Sequence, residues 1–148
     1  MKGIKSKVGA FLVGILIGVS VTGVFASIAY GIWGYYGPQL DYNYKNRNSI
    51  NADDALNSIS ATTVVARDGS GTIPEGYMGT QVRVFKDDAL HKSGVMQYNP
   101  SATSSYTAAM ALIDVGVGTY YTKGITAAYN GSGYYTYSSY QSPSQNIN

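Results

Sequence analysis

All fifteen tyrosines of the chain lie at or beyond Tyr30, in a stretch that is also rich in Thr, Ser, Gly and Asn. That mixture narrows the folds open to it. Tyr and Thr suit a pleated, half-buried strand, whereas Gly and Asn supply the positive φ angles of the turns between strands. A tyrosine also joins a large apolar ring to a polar tip, so it serves in a core or on a contact surface. The composition therefore predicts an all-β domain in which most tyrosines fill a thin core and the rest form a surface.

The local pattern agrees from Thr62 onward. Thr62–Arg67 is β-branched and is stopped by Asp68-Gly69-Ser70-Gly71. Gly79–Lys86 alternates, with Val82 and Val84 on one face, and Asp87-Asp88 turns the chain into a returning strand over Ala89–Tyr98. Thr107–Val117 permits a helix by composition but is read as a strand. Near the end, two Tyr/Thr-rich runs, Gly118–Tyr129 and Gly133–Tyr140, flank Asn130-Gly131-Ser132, a hairpin signal. The runs echo each other, Thr119-Tyr120-Tyr121-Thr122 beside Gly133-Tyr134-Tyr135-Thr136, which predicts facing strands of one hairpin. Short strands at regular spacing predict a small antiparallel β-sandwich or barrel over residues 61–148. Residues 27–60, with an aromatic and glycine cluster followed by an Asn-rich stretch, read as loosely structured. Within them Asn51–Leu56 reads either as a capped helical turn or as a solvated loop.

Residues 1–26 have another character. Lys2, Lys5 and Lys7 precede an uncharged apolar run from Val8 to Ala26, which ends in Val24-Phe25-Ala26 and Ser27-Ile28-Ala29. A basic start, an apolar middle and small residues before a cut make up a helical secretory signal. The expectation is cleavage after Ala26 or Ala29 and a secreted or extracellular domain. Gly14 and Gly18 allow the alternative of a retained anchor, which would hold the domain at the cell surface. The membrane is expected to be met only through this segment.

Without the leader's lysines, the ten basic residues fall to seven against eight acidic, leaving one net negative charge. So balanced a chain lacks the electrostatic footprint of a nucleic-acid binder. There is no cysteine, which removes thiolate catalysis and cysteine-based metal sites. An exported domain of this size folds without disulfides, and their absence fits a bacterial, Gram-positive origin.

Catalytic signals are sparse. His91 is the single histidine, and Ala89-Leu90-His91-Lys92-Ser93 does not resemble a nucleophile elbow. The neighbouring carboxylates Asp53-Asp54 and Asp87-Asp88 point to opposite faces of any strand, so they read as turn residues rather than as an acid/base couple. Asp68-Gly69-Ser70-Gly71 lacks the further spaced ligands of a calcium loop. No cofactor is expected. The candidate binding residues are exposed aromatics: Trp33, Tyr35 and Tyr36 in the N-terminal cluster, and Tyr120, Tyr121, Tyr134, Tyr135 and Tyr137 near the hairpin. Tyr135 and Tyr137 share one strand face, opposite Tyr134.

Gly31-Ile32-Trp33-Gly34-Tyr35, then Tyr42-Asn43-Tyr44, then Ser60-Ala61-Thr62-Thr63-Val64-Val65 resemble the lactococcin 972 family of small secreted bacteriocins. The resemblance spans residues 31–85. It implies a small β-sandwich and interference with septum formation in Gram-positive cells through the cell-wall precursor lipid II. The chain departs from that pattern in its greater length, in lacking a histidine after the Tyr-rich stretch, and in having Gly76-Tyr77-Met78-Gly79 where a tryptophan-containing segment would stand. The C-terminal Tyr-rich hairpin also resembles short secreted proteins of Firmicutes. Four functions are thus open: a non-enzymatic domain that binds a cell-wall component or another surface protein, a bacteriocin acting on the envelope, a small secreted hydrolase, and a structural role such as a filament subunit whose exposed strand edges pair between copies.

Overall fold

The computed structural model describes residues 27–148, so the leader expected over residues 1–26 lies outside the described residues. Every regular element among them is a strand. In chain order these are β1 (Ala29–Tyr30), β2 (Gly34–Gln39), β3 (Tyr42–Asp53), β4 (Ser58–Arg67), β5 (Met78–Gln81), β6 (Arg83–Lys86) and β7 (Ala89–Ser93). They continue as β8 (Gln97–Tyr98), β9 (Ser105–Ile113), β10 (Gly118–Thr122), β11 (Ile125–Tyr129), β12 (Tyr134–Ser138) and β13 (Gln145–Ile147). All pairings are antiparallel. One sheet runs β1-β3-β4-β9, with β2 also on β3; a second runs β13-β10-β6-β7; a third runs β12-β11-β5-β8.

The expectation of a loosely structured segment over residues 27–60 is corrected. Those residues supply β1, β2, the whole of β3 and the start of β4. The ladder from Tyr44↔Arg67 to Asp53↔Ser58 runs without interruption. The inner row of β3 is Tyr44, Asn46, Asn48 and Ile50, all buried. Two buried amides in that row give the strand a polar look in sequence. No helical turn forms at Asn51–Leu56. The strand continues to Asp53, whose Oδ1 accepts the Leu56 N–H at 3.0 Å, and Asn57 takes φ +48° to close the turn.

The inner face of the first sheet packs against both of the others. Ile50, Ile59 and Ala61 meet Val84, Tyr120 and Ile147 of the second sheet in one cluster. Tyr44 and Val65 meet Met78 and Ala128 of the third in another. The second and third sheets are nearly one: Val82 alone separates β5 from β6, and Lys123-Gly124 separates β10 from β11.

The break between them leaves backbone groups to be satisfied, and a buried polar network does it. Asn48 Oδ1 accepts from Thr63 Oγ1 at 2.8 Å and from the Gly124 N–H at 3.2 Å. Asn48 Nδ2 donates to Ser139 Oγ at 2.7 Å and to Tyr140 C=O at 2.6 Å. Ser139 Oγ in turn donates to the Gly124 carbonyl at 3.0 Å. Both lone pairs and both protons of the Asn48 amide are used. Gly124 is required by space: a Cβ there would collide with the Thr63 side chain and lie 2.6 Å from the Gln81 carbonyl.

The predicted hairpin forms, with a different partner. Tyr129↔Tyr134 and Ile125↔Ser138 pair β11 with β12, while β10 pairs with β6 and β13, so Tyr120 faces Lys86 and Gln145. The echoing runs do not face each other, because the chain shifts from one sheet to another at Lys123-Gly124. The turn itself is held by Asn130 Oδ1, which accepts from the Ser132 and Gly133 N–H groups at 3.0 and 2.9 Å, with Gly131 at φ +99°. Asp87 and Asp88 take φ +49° and +65° between β6 and β7, a tight hairpin turn as expected.

Removing the Asn48 amide strands several buried partners at once. Asn48→Ala is expected to lower stability by about 2–4 kcal/mol, and Gly124→Ala by at least about 2 kcal/mol. Urea melts of each variant and of the double variant check this. The double is expected to cost less than the sum, because the two changes disrupt one network.

Candidate functional site

The outer face of the third sheet carries a row of four tyrosines. Its floor is made of small residues. Gly79 and Ala127 pair in the ladder, and a Cβ on Gly79 would lie 2.8 Å from Tyr98 Cε1 and 3.0 Å from Ala127 Cβ. The Tyr98 ring therefore lies flush over the glycine, beside Tyr134 with ring centroids 4.5 Å apart. Tyr129 stands 5.4 Å from Tyr134, and Tyr77 stands 4.9 Å from Tyr129. Tyr42 extends the row edge-on to Tyr77 at 6.4 Å, with the Arg67 guanidinium 5.2 Å from the Tyr42 ring.

Two of the rings are held by their hydroxyls before any ligand arrives. Tyr134 OH donates to the Gly76 carbonyl, and Tyr129 OH to the Gly131 carbonyl, both at 2.8 Å. Burial, with Tyr98 and Tyr129 alongside, raises the Tyr134 hydroxyl above the ordinary tyrosine range. Tyr98 and Tyr134 still keep 40% and 41% of their surface exposed. Between Tyr77, Tyr129 and Tyr134 lies an open groove of about 220 Å³, with the exposed Glu75 carboxylate and Gly76 on its wall. Such a surface offers π-faces to the C–H face of a sugar ring or another flat apolar group, and a carboxylate to accept from hydroxyls.

The residues singled out in the sequence divide. Tyr134 belongs to the row. Tyr35 and Tyr135 are exposed, at 65% and 54%, but lie elsewhere: Tyr35 on β2, and Tyr135 opposite Ala128 on the other face of β12. Trp33 is half-buried and occupied, with Arg47 4.4 Å and Lys45 5.3 Å from its ring centre. Arg47 also covers Tyr30 at 4.7 Å, and Lys45 pairs with Asp68 at 3.5 Å. Tyr36 and Tyr137 stack on each other at 3.9 Å, turned inward against Tyr44. Tyr120 and Tyr121 are a correction, for neither is exposed. Tyr120 points into the core and donates to the Gly116 carbonyl at 2.8 Å, and Tyr121 stacks on Phe85 at 5.1 Å.

Tyr77, Tyr98 and Tyr129 were not among the sequence candidates. A signal for one existed: a four-residue Asn-Gly loop sets Tyr129 directly opposite Tyr134. Tyr77 and Tyr98 reach the row only through the β5–β11 and β5–β8 pairings, which join distant parts of the chain.

His91 sits edge-on to Tyr120 at 5.8 Å, and Asp87 Oδ1 accepts the Thr119 N–H at 2.9 Å. Among the described residues no three His, Asp or Glu side chains gather as a metal site. A search of family models, curated proteins and solved structures finds no match to the chain.

The inward tyrosines set an alkaline limit. Burial pushes the Tyr44 hydroxyl up to about 12 and raises that of Tyr36 further above its ordinary value, the Thr126 hydrogen bond only partly opposing this. A raised folded-state pKa favours the protonated fold, so stability is complete below about pH 10 and is lost as pH climbs toward 12 and beyond. Thermal melts across that window are expected to show the fall. The buried Tyr44 hydroxyl has no protein partner, so Tyr44→Phe is expected to fold normally and to make the fall shallower.

Proposed function

We propose that the chain is an exported bacterial β-domain, a two-layered sandwich, that works without catalysis by binding glycan at the cell surface or in the cell wall. The observation that carries the reading is the tyrosine row Tyr77–Tyr129–Tyr134–Tyr98, in which Tyr129 and Tyr134 are pinned by backbone acceptors, with Glu75 alongside. Sugar rings present flat C–H faces, and a rigid aromatic row receives them with little side-chain entropy left to lose. The near-neutral charge of the domain suits a neutral polymer better than a polyanion. The sandwich reading is supported by the first sheet, whose inner face contributes to both apolar clusters.

The lactococcin 972-like reading stays second. The segments that carry the resemblance meet on neighbouring strands, since β3 lies between β2 and β4. It predicts growth arrest of Gram-positive strains in a spot assay, which glycan binding alone does not.

Purified Gram-positive cell walls are expected to carry the protein into the pellet. Tyr98→Ala and Tyr134→Ala are each expected to weaken that binding about tenfold, roughly the loss of one aromatic contact. Tyr35→Ala, more exposed but off the row, is expected to leave it unchanged. Wild-type protein left in the supernatant, or equal losses in all three variants, would overturn the proposal.

A further inference from the structure

Most strands at the sheet margins are protected against pairing with another chain. β2 contains Pro38 and a register shift between Tyr36 and Gln39. β7 contains Lys92 and pairs with β6 through another register shift. β8 and β13 have two and three residues, and the uncharged β12 has five. β9 is different. It has nine residues, Ser-Tyr-Thr-Ala-Ala-Met-Ala-Leu-Ile, with no charge, proline or glycine, and an uninterrupted ladder to β4.

The phase of that ladder shows which backbone groups are left over. Arg67 N–H donates to Ser104 C=O at 2.8 Å, so residues 104, 106, 108, 110 and 112 turn their backbone groups toward β4. Residues 105, 107, 109, 111 and 113 turn theirs outward. At Ser105 these groups are capped within the chain: the Thr103 hydroxyl donates to its carbonyl at 3.0 Å and accepts its N–H at 3.4 Å. Beyond it Thr107, Ala109, Ala111 and Ile113 are exposed, Ile113 by 77%.

We propose that β9 pairs antiparallel with β9 of a second copy of this chain, about a two-fold axis through Ala109. In that register Ala109 faces its own copy and Thr107 faces Ala111. All are outward-bonding positions, and about six hydrogen bonds cross the axis. Side chains keep their faces. On the inner side Tyr106 meets Leu112 and Ala108 meets Met110, so the half-buried Tyr106, Met110 and Leu112 gain apolar cover. Charges complement each other across the axis. Asp114 follows the end of β9 and Arg67 lies beside its start, so the two-fold brings the partner's Asp114 to the end of the seam where Arg67 lies. No like charges are brought face to face along the seam.

The chain contains no cysteine, so introduced cysteines report the register directly. In the full-length protein held in detergent micelles, Ala109→Cys places two thiols on Cα atoms about 5.5 Å apart, within disulfide range. Mild oxidation is expected to yield a covalent dimer on a non-reducing gel. Thr107→Cys alone, about 14 Å from its copy in this register, is expected to yield none, and Thr107→Cys with Ala111→Cys is expected to restore the cross-link. Ala109→Pro removes only an outward N–H, so it is expected to keep the wild-type far-UV circular dichroism and to halve the mass of the protein part in light scattering. Equal cross-linking at positions 107 and 109, or none at 109, would overturn the proposal. So would a wild-type monomer, as would an Ala109→Pro variant that folds and keeps the dimer mass.

Discussion

The architecture depends on one buried amide. Asn48 is fully buried in the middle of the longest strand, and its side chain bonds to four groups drawn from the first sheet, from the link between β10 and β11, and from the segment after β12. Wherever a strand pair is interrupted, donors and acceptors are exposed to an apolar interior, at a cost of about 1–3 kcal/mol each if left alone. Here the interruption is repaired from the opposite sheet. An apolar side chain at position 48 could fill the volume but could not bond to Gly124, Ser139 and Tyr140. The polarity of β3 is therefore structural.

The same constraint explains the distribution of tyrosines. The second sheet meets the first through aliphatic residues and Tyr120, the third through Val65, Met78 and Ala128 together with Tyr44, Tyr36 and Tyr137. Asn46 donates to Thr126 Oγ1 at 2.8 Å, and Tyr36 shares that oxygen at 2.9 Å, so a second polar contact lies along the same inner row. With its inner face fixed by these bonds, the third sheet presents its outer face as a rigid platform. The floor of Gly79 and Ala127 lowers the rings of Tyr98 and Tyr134 into contact. The proposed recognition surface is thus an outward consequence of how the sheet is anchored inward.

How much of this was legible beforehand follows from the range of each interaction. The all-β class, the Asp87-Asp88 turn and the Asn130-Gly131 hairpin rest on neighbouring residues, and the sequence shows them. Residues 42–53 misled because burying Asn46 and Asn48 breaks the usual apolar-in, polar-out alternation. The shift between sheets at Lys123-Gly124 was hidden, because only the approach of Thr63 makes that glycine necessary. The site was half legible. Tyr134 stood out, but Tyr77 and Tyr98 acquire neighbours through pairings between distant strands. Tyr120 and Tyr121 could not be sorted from exposed tyrosines, since tyrosine serves core and surface alike.

Native-state hydrogen exchange at Gly124 tests the central claim most directly. Its N–H points at Asn48 Oδ1 at the junction of all three sheets. If that junction unites them, Gly124 exchanges only through global unfolding, with the same free energy as Val65, Val84 and Ala127 in the three sheets. Exchange of Gly124 at a distinctly lower free energy, with the β11 and β12 amides opening ahead of those of β6 and β10, would contradict it.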